Sequence, residues 1–182
     1  MKKRIMVFAG DKGGVSKTTT AVILACGLRL PLRDLDPSRT GARWIARRVH
    51  DHPLPASNGQ AWVADCPPGI RGELIPVLRE SDLVLVPVRP GFTDLDVLAH
   101  TLRFVSAHAV GDVGFLLAGI DQRTKDEERL RQALEPLVHP VLGMFSFRAA
   151  YARAGSSANL PGELDPVAAQ EARNLFTSIE AL

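Results

Sequence analysis

The run Ile5-Met6-Val7-Phe8-Ala9 leads without a break into Gly10-Asp11-Lys12-Gly13-Gly14-Val15-Ser16-Lys17-Thr18-Thr19-Thr20. The apolar residues read as a short buried strand, the glycines as a tight turn, and Lys17-Thr18 as the opening of a helix. A turn of this kind aims backbone N–H groups inward as an anion nest, and the helix adds its positive end. Lys17 is then placed to reach the β- and γ-phosphates of a nucleotide, and the Thr18 hydroxyl to ligate Mg²⁺. A glycine-rich connection without a ligand would need neither lysine. The string departs from the ordinary phosphate loop in three places: Asp11 stands at the usual first glycine, Ser16 at the last, and Lys12 precedes Gly13-Gly14. Glycine takes positive φ freely at the last position, where serine is strained, although its hydroxyl can help hold phosphate.

Working outward, β-rich apolar runs at 4–9, 61–65, 83–88 and 113–119, with weaker ones near 30–35 and 141–147, read as strands buried on both faces. Helical patterns lie between them. Thr18 to Arg29 carries Ala21, Leu24, Ala25 and Leu28 on one face, and Thr93 to Ala107 begins with Thr93 and Asp96 at capping-box spacing. Asp126 to Val138 and Pro166 to Ala181 complete the set, the last with Asp165 as N-cap and Pro166 at the first helical position. Alternation of strand and helix predicts an α/β fold, a mainly parallel twisted sheet with helices on both faces. Ligands bind such sheets at the carboxyl ends of the strands. No repeat, linker or low-complexity tract divides the chain, so residues 1–182 are expected to form a single domain.

Composition agrees. A chain of 182 residues buries about 70% of its unfolded surface without staples. Cys26 and Cys66 lie far apart, outside any Cys-x-x-Cys pair, which argues against a disulfide framework or a zinc site and for a reducing, cytoplasmic setting. Met1-Lys2-Lys3-Arg4 is basic, but the apolar stretch behind it stops at Asp11, too short for a signal peptide or membrane span.

The string Lys12 to Thr19 resembles the deviant Walker A box of the ParA/MinD family of dimeric P-loop ATPases. Asp34-Leu35-Asp36-Pro37 resembles the family's D-x-D-P element, and Asp65-Cys66-Pro67-Pro68-Gly69 its Walker B aspartate and the switch behind it. Ser81-Asp82 before Leu83 to Val88, the run Arg148 to Gly155, and Pro161 to Pro166 before a last helix are similar to the family's later elements. Two stretches differ. Gly27 to Arg33 is short, so the second strand is expected to be clipped, starting at Pro31 on an edge. The segment between Trp44 and Trp62, with Pro53, Pro55 and Gly59, leaves no room for an additional strand found in many relatives.

The resemblance implies ATP and Mg²⁺ as ligands and ATP hydrolysis as the reaction, slow without a stimulating partner. Lys12, Gly13, Gly14, Val15, Ser16, Lys17, Thr18 and Thr19 would hold the nucleotide; Thr18, Asp36 and Asp65 would serve the metal. Phosphoryl transfer needs a positioned water, Mg²⁺ and positive charge more than covalent work by the protein. Asp36 resembles the water-orienting carboxylate, and Asp34 its neighbour on the metal side. A carboxylate ending a buried strand is costly unless compensated, which a Mg²⁺ role for Asp65 supplies. Pro67-Pro68-Gly69 makes a stiff turn with a hinge, suited to sensing the γ-phosphate. By the same resemblance Lys12 reaches across a two-fold axis to the ATP of a second subunit, which makes the homodimer ATP-dependent and assigns Lys12 a catalytic part beside Lys17 and Asp36.

The use of such a switch is a separate question. Membrane positioning, as in the MinD branch, needs a basic amphipathic C-terminal helix; residues 165–182 carry Arg173 against Asp165, Glu171 and Glu180, which argues against a membrane. Ligand cysteines for an iron–sulfur carrier and a tyrosine cluster for a kinase relative are both missing. The remaining branch is DNA partition: non-specific duplex binding by the ATP dimer near the nucleoid, with a ParB-like or other centromere-binding adaptor stimulating hydrolysis. Its small plasmid-type members, which lack an N-terminal DNA-reading domain, are the nearest in pattern. Arg123, Lys125 and Arg129 are the candidate DNA contacts, diluted by Asp126, Glu127 and Glu128; Arg39, Arg43 and Arg47 on one helix face are the second choice. A formal charge of +2 does not decide between them. A positioning ATPase for a protein cargo or conjugation complex, and a weakly hydrolysing regulatory module, stay open as alternatives.

Overall fold

The structure, a computed structural model, describes residues 3–10, 16–48, 54 and 59–182. Six parallel strands run through it: β1 (Arg4–Val7), β2 (Leu32–Asp34), β3 (Trp62–Asp65), β4 (Leu83–Val88), β5 (Asp112–Ile120) and β6 (Val141–Ser146). They lie side by side in the order β2-β3-β1-β4-β5-β6. All six fall on the runs that the sequence singles out. The helices are α1 (Lys17–Gly27), α2 (Thr40–Arg48), α3 (Ile75–Glu80), α4 (Phe92–His108), α5 (Asp126–Leu134), α6 (Ala149–Ser157), α7 (Pro161–Leu164) and α8 (Pro166–Glu180).

The pleat sorts each strand's residues between two apolar layers. Met6, Phe8, Trp62, Ala64, Val84, Val86, Phe115 and Leu117 face one way and pack with Leu78 of α3, Leu102 and Val105 of α4, and Leu130 and Leu134 of α5. Ile5, Val7, Val63, Leu83, Leu85, Leu116 and Phe145 face the other way, onto Ala21, Leu24 and Ala25 of α1 and Leu175 and Ile179 of α8. Gly27 ends α1 directly against the Phe176 ring, where a β-carbon would collide with it.

The clipped strand is observed. β2 has only three residues, lies at the sheet edge, and joins the ladder one residue after Pro31, whose carbonyl accepts from Val63 N–H at 2.9 Å. Between Trp44 and Trp62, α2 continues to Arg48 and no strand occurs among the described residues; 49–53 and 55–58 lie outside them. At the last helix the Asp165 carboxylate accepts from Val167 N–H at 2.8 Å with Pro166 behind it, the expected cap.

Other boundaries shift. α4 begins at Phe92 with Gly91 at the N-cap, so Thr93 is not the cap, and the side chains of Thr93 and Asp96 lie outside the described residues. Pro136 ends α5 as an α-helix, and Glu135–Leu137 tightens to a 3₁₀ turn. Helix α2 is tied to the end of α6: Trp44 Nε1 donates to the Asn159 carbonyl, Arg47 to Gly155 and Arg48 to Ala158, at 2.8–3.1 Å. Arg48 also holds the Glu163 carboxylate through two 2.7 Å bonds. These donors satisfy carbonyls that the end of a helix leaves open.

Candidate functional site

Three strands end at one level. Asp65, the last residue of β3, sits opposite Val7 of β1 and Asp34 of β2. β1 runs into the glycine-rich loop, of which Asp11, Lys12, Gly13, Gly14 and Val15 lie outside the described residues. The chain re-enters at Ser16, the N-cap of α1, with φ 70° and ψ 18°. The left-handed conformation expected to strain serine is thus adopted, at a cost of about 1–3 kcal/mol.

Lys17 is 7% exposed. Burial lowers its pKa, while the carboxylates of Asp65 and Asp36 pull it back toward the charged form. Asp65 is fully buried, and neither carboxylate oxygen has a hydrogen-bond partner. Burial pushes its pKa up to about 7; the Thr18 hydroxyl, close by but outside hydrogen-bonding geometry, opposes this, Asp34 and Asp36 add to it, and Lys17 opposes it. Lys17, Thr18, Asp34, Asp36 and Asp65 are therefore brought together. A buried, unpartnered carboxylate is a rare arrangement that needs a reason. A hard cation beside the Thr18 hydroxyl supplies one, so the residues present fit Mg²⁺.

Asp34, beside Asp65, also has a structural part. Its Oδ1 accepts from Asp36 N–H at 3.1 Å and its Oδ2 from Ala42 N–H at 2.8 Å. It builds the turn that carries Asp36 and caps α2 at its positive end. Asp36 is half-buried and accepts from Ser38 N–H at 2.8 Å. Gly41 covers the pair: a methyl there would come within 3.3 Å of one oxygen of both Asp34 and Asp65. Gly41 carries no motif signal and is missed from sequence alone. Behind Asp65, Cys66 and Pro67 are buried, Gly69 takes φ 96°, and its N–H donates to the Gly10 carbonyl at 3.4 Å, so the hinge turn touches the start of the loop.

A pocket of about 190 Å³ opens on the other side of Ser16 and Thr19, walled by Arg89, Gly119, Ser146, Phe147 and Tyr151. Of this wall, the sequence puts Gly119, Ser146 and Phe147 in strand-like runs and Tyr151 in the tail Arg148 to Gly155, none with an assigned contact.

The basic candidates separate. Arg123 binds Asp121 through 2.9 and 2.7 Å bonds, which hold the Asp121 carboxyl at about 2. Lys125 and Arg129 are exposed at the start of α5 and in its middle, and Arg131 pairs with Glu127 at 2.9 Å. Between Asp121 and Arg131 four cations meet four carboxylates. In the second-choice stripe, Arg39 donates to the Asp34 carbonyl and Arg47 to Gly155, which leaves Arg43. No helix among the described residues is long and apolar enough to cross a membrane.

A parallel six-stranded sheet with a loop, a buried lysine and strand-end aspartates at its carboxyl edge is the P-loop nucleotide-binding fold of the ParA/MinD type. No protein-family model matches the chain. It is similar to the maintenance of carboxysome distribution protein A of Gloeobacter kilaueensis, 28% identical over 144 residues, covering 68% of this chain and 67% of that one. It is also similar to the ParA protein of Rhizobium radiobacter, 25% identical over 128 residues and 56% of each. The chain thus spans little more than half of that ParA. Among solved structures, a plasmid partition protein of Borrelia burgdorferi B31 bound to AMPPNP superposes with a TM-score of 0.81 at 16% identity, covering 99% of both chains. The septum site-determining protein MinD of Pyrococcus horikoshii, complexed with Mg-ADP, gives 0.72 at 15% identity over 96% of this chain and 94% of that one. These structural likenesses speak for the fold; the named relatives are consistent with the ParA/MinD family of deviant Walker A ATPases.

The orphaned carboxylate makes a prediction independent of any ligand. Asp65→Asn removes a buried charge at pH 8 and is expected to raise the urea midpoint of the nucleotide-free protein by the equivalent of about 1–3 kcal/mol. The same variant should lose the stabilisation that Mg²⁺ and nucleotide give the native chain. A lowered midpoint would mean that Asp65 is already satisfied.

Proposed function

We propose that this chain is a partition or positioning ATPase that binds MgATP at the carboxyl edge of its sheet and hydrolyses it slowly. The observation that carries the reading is the buried, unpartnered Asp65 carboxylate next to the buried Lys17 ammonium at the start of α1. Neither is a stable arrangement alone; an anionic phosphate and a divalent cation between them compensate both. Thr18 and Asp65, with Asp36 beside them, would hold Mg²⁺, which when bound would supply positive charge against the phosphates. Lys17 holds the terminal phosphates, and Asp36, presented by the turn that Asp34 builds, orients the attacking water. The ribose and base extend past Thr19 into the pocket. Gly69 gives the Pro67-Pro68 turn the freedom to report the state of the site to the surface.

ATP-bound subunits are proposed to pair, with Lys12 of each reaching the phosphates of the other. The dimer then binds duplex DNA without sequence preference and is released by a ParB-like adaptor that stimulates hydrolysis, a cytoplasmic, nucleoid-associated cycle. With Arg123 on Asp121 and Arg131 on Glu127, Lys125 and Arg129 are the candidate phosphate contacts, opposed by Asp126 and Glu128, and Arg123 contributes once Asp121 yields it to a phosphate. Two such patches on one rigid dimer bind with avidity that one lacks. The similarity to a carboxysome distribution protein favours a second reading, the same switch positioning a protein cargo.

One assay series tests both. ATP turnover and DNA retention are measured with ATP, with ADP, and with each candidate adaptor. The ATP form is expected to hold DNA at low salt, with affinity falling at a log–log slope of about 0.9 per phosphate neutralised. Lys125→Ala with Arg129→Ala should lower that slope and leave ATP binding intact. ATP-loaded protein that ignores DNA at low salt gives the cargo reading preference over partition.

A further inference from the structure

Gly10 stands where β1 hands the chain to the phosphate loop, one residue before the position of the usual first glycine. It is buried, and its backbone lies outside the left-handed region, so conformation does not call for glycine there. Space does. A β-carbon at Gly10 would collide with Thr101 Oγ1 and come within 3.1 Å of Val97 Cγ1, both on α4.

The approach of α4 is built from one face of that helix. Val97, Thr101 and Phe104 stand at i, i+4 and i+7. Phe104 meets Phe8, two residues before Gly10, with ring centroids 5.9 Å apart. Thr101 is 1% exposed, and its hydroxyl donates to the Val97 carbonyl at 2.9 Å. That bond pins a β-branched side chain that already has few rotamers, so Oγ1 is a fixed stop and cannot swing aside. From the opposite direction, Gly69 N–H of the hinge turn donates to the Gly10 carbonyl. Gly10 is therefore held between α4 and the turn behind Asp65, at the point from which the loop departs.

We propose that Thr101 is a positioning residue for the phosphate loop: its Oγ1 sets, through Gly10, where and in which direction the loop leaves β1. The inference rests on the MgATP reading, because only a bound phosphate makes the loop's placement matter. Thr101 itself touches no phosphate. A slightly displaced loop still gathers phosphate with its amides and Lys17, whereas in-line attack is sensitive to a shift of about 1 Å. Loss of the stop should therefore fall on kcat more than on KM.

Variants of the full chain test this by phosphate release, by calorimetric binding of MgATP and by urea unfolding. Thr101→Ala is expected to lower kcat by about 5- to 10-fold with KM within about twofold of native. Thr101→Ser keeps Oγ1 and should retain most of the native kcat. Gly10→Ala should lower turnover by about 10²-fold, and adding Thr101→Ala should recover about tenfold of the loss, because the colliding atom is gone. Adding Thr101→Ser to Gly10→Ala should recover nothing. A packing contact without a positioning role gives another pattern: a lowered urea midpoint but native kcat in the folded fraction of Thr101→Ala. That result overturns the proposal, as does native turnover in Gly10→Ala or equal recovery by Ala and Ser at Thr101. If Gly10→Ala does not fold, the kcat of Thr101→Ala against Thr101→Ser decides alone. A native chain that neither binds nor hydrolyses MgATP overturns the underlying reading and the role of Thr101 with it, whereas failure confined to the Thr101 variants leaves that reading standing.

Discussion

Lys17→Ala is expected to reduce ATP turnover by at least about 10²–10³-fold, the effect of removing one group that stabilises charge developing in a transition state. Affinity should fall with it, since in the proposed site the ammonium would face the phosphates before as well as during the reaction. The fold should survive: Lys17 is buried at the cost of desolvation, so its loss relieves the nucleotide-free chain while it cripples the loaded one. Calorimetry with MgATP and a phosphate-release assay measure the two consequences separately. Native turnover in this variant would place the nucleotide elsewhere. Lys17→Arg is expected to fail as well, because a planar fork does not replace a point charge in a space shaped for one.

Asp36→Ala separates binding from hydrolysis. Its side chain touches the backbone of Ser38, whereas Asp34 holds the turn to α2, so removing the Asp36 carboxylate leaves the local frame standing. The expected result is near-native ATP affinity, turnover lowered by about 10²-fold or more, and a dimer that persists in ATP. Lys12→Ala is expected to do the converse, weakening ATP-dependent dimerisation with the nucleotide still bound. Light scattering with ATP reads both. Equal dimer fractions for the native chain and Lys12→Ala would remove the cross-subunit role.

What was legible in the sequence followed from strong local signals. Apolar runs such as Leu83 to Val88 have no other use than a strand buried on both faces, and β4 occupies those same six residues. Asp165-Pro166 announced its helix because a cap and an N1 proline act within a few residues. Less legible were elements whose reason is tertiary. Helix α6, Ala-rich and without a strong stripe, is held through its terminal carbonyls by Trp44, Arg47 and Arg48, more than 100 residues away in sequence. The same contacts explain why the arginine stripe of α2 looked like a surface and is partly a seam. At the site, the strand-end aspartates were readable as carboxylates in place, but their division of labour was not. That Asp34 spends both oxygens on backbone amides while Asp65 spends neither depends on where α2 starts. Gly10 gave no signal of its own because a glycine beside a glycine-rich turn is ordinary until what packs against it is known.

The brevity of β2 has a consequence for colloidal behaviour. An edge strand offers its unpaired amides and carbonyls to any other chain, and a long, flat, apolar one is a template for runaway sheet growth. Here that margin is three residues long. It carries Arg33, whose guanidinium lies 4.7 Å over the Trp62 ring and reaches Glu80 at 3.3 Å. A second molecule arriving at this rim finds few bonds to make and a fixed charge to displace. Close approach of many copies therefore carries little risk of runaway sheet growth from this side.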